Sequence, residues 1–181
     1  MTVSRWEERL EMKRKGKDRF FREHPQSPLP WQDRERFEGL NYHPIDSQYR
    51  FELELHEHDE KRTVRVEATH GGERHFLRRG EFQFKIGDEE CRLQAYQSDP
   101  HDKRLFIAFG DATSGVETYD KGRYLDLEPE IHLTTEGKWI LDFNEAYNPW
   151  CAYSDGYICP FAPPENWLKV PVRAGEKAFA K

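Results

Sequence analysis

Two cysteines, Cys151 and Cys159, stand in a segment dense with aromatics, prolines and amides, and two thiols in one loop can ligate zinc or cycle as a dithiol. Structural zinc sites use closer cysteine pairs and need two further ligands. His24 and Cys91 are available in number, but no spacing ties them to the pair, so no metal is expected. The plainer reading is two small buried thiols in a packed loop. Arg123 follows Gly122 and lies between Tyr119 and Tyr124, a setting suited to bidentate capture of a carboxylate or phosphate. The same setting suits a buried ion pair with Asp142 or Asp126. The stretch Phe109-Gly110-Asp111-Ala112-Thr113-Ser114-Gly115 has amides and hydroxyls that could hold an anion, or it forms an ordinary Asx or Ser/Thr turn. Ser114 as a nucleophile would need a base, and His132 is the nearest histidine downstream. Neither a Gly-x-Ser-x-Gly elbow nor a phosphate-binding Gly-Lys-Ser/Thr string occurs.

Asp142, Asn144, Tyr147, Asn148, Glu165 and Asn166 add polar groups amid Phe143, Trp150, Tyr153, Tyr157 and Trp167. Such groups must be hydrogen-bonded where buried, so they either pin a long loop to the body or line a pocket. His56-Glu57-His58-Asp59 is metal-like in composition, but beside Lys61 and Arg62 it reads as a solvated hairpin end.

The elements that must position these residues begin with a helix. Ser4-Arg5-Trp6-Glu7 has the form of a capping box, and His24-Pro25 stops the helix near Glu23. Val3, Trp6, Leu10, Phe20 and Phe21 are its apolar anchors, so it is expected to dock by its two ends and leave its charged middle in water. A proline-rich connection follows, then one further helical turn near Gln32–Phe37. From Tyr49 the period becomes alternating. Phe51, Leu53 and Leu55 form a first strand, and Val64, Val66 and Ala68 continue it after the turn at Asp59-Glu60-Lys61. Further strands are expected over 74–79, 81–86, 91–97, 104–109, 123–127, 131–134, 138–143 and 168–172. Gly71-Gly72, Gly87-Asp88 and Glu136-Gly137 supply turns. The meander spacing predicts a mainly β domain, an antiparallel barrel or sandwich carrying an N-terminal helix. Residues 1–30 form the helix and connection, and residues 31–181 a single β-rich domain.

Aromatics at 14% argue for a folded core, although the hydrophobic fraction is only 36%. The net charge is −6, while residues 5–22 carry eight basic and four acidic groups, so the body is more acidic than the whole. An acidic body argues against nucleic acid as a partner. Three cysteines, no apolar leader and no membrane-length apolar window point to a cytoplasmic protein with no membrane association.

Several strings resemble a known family, domain of unknown function 1684, found in bacteria and archaea. They include Phe20–Leu29, Phe37–Tyr42, Phe109–Gly115 with Glu117-Thr118-Tyr119, and Gly122–Leu127. The most specific are Leu141–Asn144, Ala146–Pro149, Cys151–Tyr153, Cys159-Pro160, Pro163–Asn166 and Arg173–Glu176. The resemblance carries no activity, substrate or cofactor, and implies only that these loop residues form a common motif region.

The expectation that follows is a domain binding a small polar or anionic ligand at one end of the sheet. Arg123 would supply charge and the Asp111–Gly115 loop donors. Walls would come from Tyr119, Tyr124, Asp142, Asn144, Tyr147, Asn148, Cys151, Cys159, Glu165 and Asn166. Two competing expectations are an enzyme using Cys151 or a carboxylate (Asp142, Glu165), and an interaction module that docks through the charged helix. Any cofactor and the oligomeric state stay open.

Overall fold

A computed structural model describes residues 4–179. Helix α1 (Arg5–Glu23) starts at the expected capping box: Ser4 Oγ accepts the Glu7 amide at 3.2 Å, and the Glu7 carboxylate accepts the Ser4 amide at 2.7 Å. It ends where Pro25 forces His24 into extended geometry. Leu10 and Phe21 are its buried anchors; Val3 lies outside the described residues. The middle of α1 is not left to solvent. Lys13 reaches Glu145 at 2.9 Å, Arg14 donates to the carbonyls of His43 and Asn144, and Lys17 pairs with the buried Glu176. Long cationic side chains let a helix with few apolar residues dock along its length. The proline-rich connection is stapled by Arg34, on the short helix α2 (Trp31–Arg34), which donates to the carbonyls of His24, Ser27 and Leu29.

The strands are β1 (Arg50–Leu53), β2 (His56–Glu57), β3 (Thr63–Glu67), β4 (Glu73–Ile86), β5 (Glu89–Gln97), β6 (Leu105–Phe109), β7 (Arg123–Leu127) and β8 (Trp139–Asp142). All strand pairs are antiparallel. Six strands form one sheet in the order β2-β4-β5-β6-β7, with β3 also on β4, and β1 pairs with β8 separately. Among the described residues no pair closes the large sheet, so the expected barrel does not form.

Three details differ from the sequence pattern. The two strands expected over 74–79 and 81–86 are a single strand, irregular between Arg78 and Gly80. There β2 crosses so closely that a Cβ on Gly80 would lie 2.6 Å from the His56 carbonyl oxygen. Residues 131–134 are not a strand: Pro129, suited to a first helical turn, opens the short helix α3 (Pro129–His132). Residues 168–172 form no strand either, although Leu168 donates to the Gly110 carbonyl at 2.8 Å and Ala112 to that of Val170 at 3.2 Å.

The core lies on one face of the large sheet. Phe82, Leu93, Ile107, Phe109 and Leu125 meet Leu141 and Phe143 there, with Phe51 packed against them. The opposite face carries Phe76, Gln94, Tyr96, Phe106, Ala108 and Tyr124, and the irregular C-terminal segment covers much of it. Asn166 drives that coverage. Its Oδ1 accepts the Gln94 amide at 2.7 Å, and its Nδ2 donates to the carbonyls of Gln94 and Ala108 at 3.0 and 2.9 Å. One side chain thus completes the ladder where β5 and β6 share only the Tyr96–Phe106 pairing. Trp167 then lies on Gly110, where a Cβ would sit 2.3 Å from the indole ring.

Candidate functional site

Most of the polar residues singled out in the sequence are taken up inside the body. Arg123 is fully buried. It pairs with Asp111 at 3.0 Å and donates to the carbonyls of Val172, Ala174 and Glu176. Burial works to lower its pKa and the Asp111 carboxylate opposes that. With both terminal nitrogens occupied, it offers a ligand no bidentate fork, and the expected anion-capturing role is not available to it. The buried-pair alternative holds, but with Asp111 as partner in place of Asp142 or Asp126.

The 110–115 loop is likewise closed. The amides of Gly110, Ala112, Thr113, Ser114 and Gly115 all donate within the protein. Asp111 accepts the Thr113 amide and hydroxyl and the Val172 amide, while Ser114 Oγ accepts the Asp111 amide. This is an Asx turn used as an internal clamp. Asp142 is buried against the Trp6 indole, which donates at 2.7 Å, and against the Asn144 amide and side chain. Burial raises its pKa, and those hydrogen bonds act the other way. Asn144 also brackets Asp46. Asn148 donates to Glu176 and to the Lys177 carbonyl. Glu165 is exposed and accepts the Tyr96 hydroxyl at 2.8 Å. Tyr119, Cys151 and Cys159 do come together: the Tyr119 hydroxyl is 3.5 Å from Cys151 Sγ, and Cys159 Sγ accepts the Cys151 amide at 3.4 Å.

Two hollows meet at Tyr147. The first, about 240 Å³, lies between α1 and the body. Its cations are already partnered, since Lys13 and Lys17 hold Glu145 and Glu176 and Arg14 stacks 4.3 Å over the Tyr42 ring. His132 is not a free base there. Its Nδ1 accepts the Glu128 amide at 2.9 Å, which leaves the proton on Nε2, 3.2 Å from Glu145. Burial pushes the Glu145 carboxyl up, but His132 and Lys13 outweigh it and bring the pKa to about 2.

The second hollow, about 370 Å³, opens on the outer face of the large sheet, where the C-terminal cover stops. Phe76 and Phe106 stack with centroids 5.4 Å apart, Tyr124 meets Phe106 edge-on at 4.8 Å, and Tyr147 meets Tyr124 edge-on at 5.7 Å. Strand alternation puts Tyr124 and Asp126 of β7 on this face, with Asp126 directly opposite Phe106. The Tyr124 hydroxyl is turned away to the Pro160 carbonyl, and Tyr147 donates its hydroxyl to Asp126. On the rim, Asp102 is held by Arg104 at 2.9 Å, an ion pair that draws the Asp102 carboxyl well below its usual range. Asp126 and Glu128, both exposed, form no ion pair among the described residues. Aromatic walls below exposed carboxylates form an environment for a cation. A larger groove of about 680 Å³, between α2 and Tyr153, is bordered by Phe37, Tyr153 and Phe179 and by Asp33, Glu38 and Asp155 beside Arg36.

The family model described as "Protein of unknown function (DUF1684)" matches residues 35–177. The chain belongs to that family. The match takes in every strand, the second hollow and the cysteine pair, and leaves out α2 and also α1, which walls the first hollow. An uncharacterized protein from Haloarcula marismortui, solved by solution NMR, is 40% identical to this DUF1684 chain. The likeness covers 95% of this chain and 94% of that one, with a TM-score of 0.73. Comparison with curated proteins finds no match. Among the described residues no helix is long and apolar enough to cross a membrane.

Sequence reasoning missed Phe76, Phe106, Asp126 and Glu128 as members of one site. A signal existed. The β6 run Leu105-Phe106-Ile107-Ala108-Phe109 is apolar on both faces, so the second face had to be covered or to bind something. The buried Glu176, which accepts from Lys17, Asn148 and Tyr153, carried no such mark.

Proposed function

We propose that this DUF1684 protein binds a small polar molecule bearing an amine or quaternary ammonium group in the hollow walled by Phe76, Phe106, Tyr124 and Tyr147. The observation carrying this reading is the placement of two exposed carboxylates, Asp126 and Glu128, with no ion-pair partner among the described residues, on the rim of that aromatic surface. Relative to the expectation from sequence, the ligand stays small and polar but its charge reverses. The anionic reading depended on Arg123 and on the 110–115 amides, all of which have partners inside the protein. Lys17, 4.9 Å from the Tyr147 ring centre, already makes a cation–π contact with one wall. A volume of about 370 Å³ suits a ligand at the small end of the usual range for binding pockets.

Thermal shift and calorimetric titration with tetramethylammonium, choline and primary amines, beside their uncharged isosteres, test the proposal. The cations raise the melting temperature in a saturable way. Asp126→Asn and Phe106→Leu each weaken binding by about tenfold, in line with a contact of 1–2 kcal/mol. Equal response to charged and neutral isosteres, or full binding by Asp126→Asn, would refute it.

A further inference from the structure

The cysteine pair lies apart from this hollow and supports a separate inference. Cys151 and Cys159 sit at the two ends of an eight-residue step, and Cys159 Sγ is 3.4 Å from the Cys151 amide nitrogen. The Tyr119 hydroxyl stands 3.5 Å from Cys151 Sγ. Each sulfur is close enough to the other to shift its titration. The third cysteine, Cys91, is equally buried but sits in the main core, where its thiol donates to the Glu89 carbonyl.

The loop between the pair is held from outside by one turn. Thr69 exchanges main-chain and hydroxyl hydrogen bonds with Cys159 and Tyr157, and the His70 ring lies 2.6 Å from the Asp155 carbonyl oxygen. His70 has φ 58°, the one non-glycine residue among those described in the left-handed region. Its neighbours on the loop are at the surface: Asp155 and Gly156 are exposed, Trp150 is 38% exposed and Ile158 48%. The thiols thus lie one residue below solvent. The exposed Arg74 on β4 adds positive charge near Cys159.

We infer that Cys151 and Cys159 form a thiol–disulfide exchange site, with Cys159 as the attacking sulfur and Cys151 as the resolving one. The oxidant is a small-molecule disulfide. The Cys159 thiolate attacks one sulfur of the disulfide, forming a mixed disulfide and releasing one thiolate. Cys151 then loses its proton and attacks Cys159 Sγ, which closes the Cys151–Cys159 bond and releases the second thiol. One disulfide is reduced to two thiols while two protein thiols become one disulfide, so electrons balance. The assignment of roles follows the hydrogen bonds. The neighbouring Cys151 thiol, the Cys151 amide that donates to Cys159 Sγ, and the Trp150 amide favour the Cys159 thiolate over the opposing effect of burial. The neighbouring Cys159 sulfur and burial hold Cys151 protonated.

The test is intact-mass analysis of the full chain after incubation with oxidised glutathione, followed by denaturation and alkylation. The wild-type protein should lose the mass of two hydrogens, accept one alkyl group in place of three, and map that group to Cys91. Cys151→Ser should stop at a stable glutathione adduct on Cys159, formed about tenfold faster than any adduct on Cys91. Retention of three alkylatable thiols in the wild type would overturn the inference, as would a wild-type adduct that never resolves. The wild-type result decides this even where a cysteine variant folds poorly.

Discussion

Replacing Arg123 by Met separates a structural cation from a ligand-binding one by the sign of the stability change. The Arg123 and Asp111 side chains are 0% and 1% exposed. Removing the guanidinium strands a carboxylate in the interior and deprives the Val172, Ala174 and Glu176 carbonyls of a shared donor. Breaking one side of a buried pair costs about 3–5 kcal/mol. For a chain of this size each kcal/mol lowers the melting temperature by about 2–4 °C, so Arg123→Met is expected to melt about 6–20 °C lower. A cation kept in place for an absent anion would behave oppositely, because its removal would relieve an unpaired buried charge. Chemical denaturation with limited proteolysis is the assay. The variant should show a lower midpoint and early cleavage within 172–179, where the lost hydrogen bonds held the chain. The double variant Asp111→Asn with Arg123→Met should recover part of the loss, since a buried pair removed together is far less costly than one broken. A single variant within about 1 kcal/mol of the wild type, or more stable than it, would refute the reasoning.

Other expected outcomes rest on equally local geometry. Asn166→Ala leaves the Gln94 amide and two carbonyls without their partner and should lower stability by about 2–4 kcal/mol in urea unfolding; Asn166→Asp should fail to rescue it, because the two donated bonds come from Nδ2. Gly110→Ala drives a methyl into the Trp167 ring and should cost about 1–3 kcal/mol, with a change in tryptophan emission as the companion readout. Glu145 has a folded pKa of about 2, below its ordinary 4.5, so its stabilising contribution is complete above pH 4.5 and is lost as pH falls toward 2. Stability profiles of wild type and Glu145→Gln should therefore converge across that acid window and differ by a constant amount at neutral pH. A gap that persists unchanged to pH 2 would contradict this account.

How much of this was legible in sequence depended on how local the cause was. The α1 start, its stop at His24-Pro25 and strands β5 to β8 follow from caps, proline sterics and short apolar runs, and they appear nearly where expected, whereas β4 replaces two expected strands. Strand pairing did not follow. β1 is adjacent in sequence to β2 yet pairs with β8, some ninety residues on, and no local pattern encodes that choice. The helical turn at Pro129–His132 was hidden because Ile131 and Leu133 alternate like strand residues, whereas Pro129 and the His132 ring bond to the Glu128 amide favour a turn. Arg123 was noticed for the right reason, an arginine among aromatics at a strand start. The sequence could not choose between a ligand and an internal carboxylate, because the answer lies with Asp111 and with carbonyls fifty residues downstream.

The same distinction bears on what family membership can say. Leu141–Asn144, Pro163–Asn166 and Arg173–Glu176 carry the most specific resemblance, and their side chains mainly satisfy main-chain groups of an irregular C-terminal segment. Asp142 holds the Asn144 amide, Asn166 holds Gln94 and Ala108, and Glu176 holds the Asn148 amide. A segment without a ladder of its own needs such side chains, since each buried amide or carbonyl left unpaired costs about as much as a lost cap or a core methylene. These motifs are accordingly specifications of a fold. The groups proposed to meet another molecule lie elsewhere: Phe76, Phe106, Asp126 and Glu128 on the uncovered sheet face, and the two thiols beside Trp150 and Ile158. Substitutions at the exposed Asp126 and Glu128 should therefore change cation binding while leaving the melting transition close to that of the wild type, whereas the buried thiols are tested by disulfide closure in the wild-type chain.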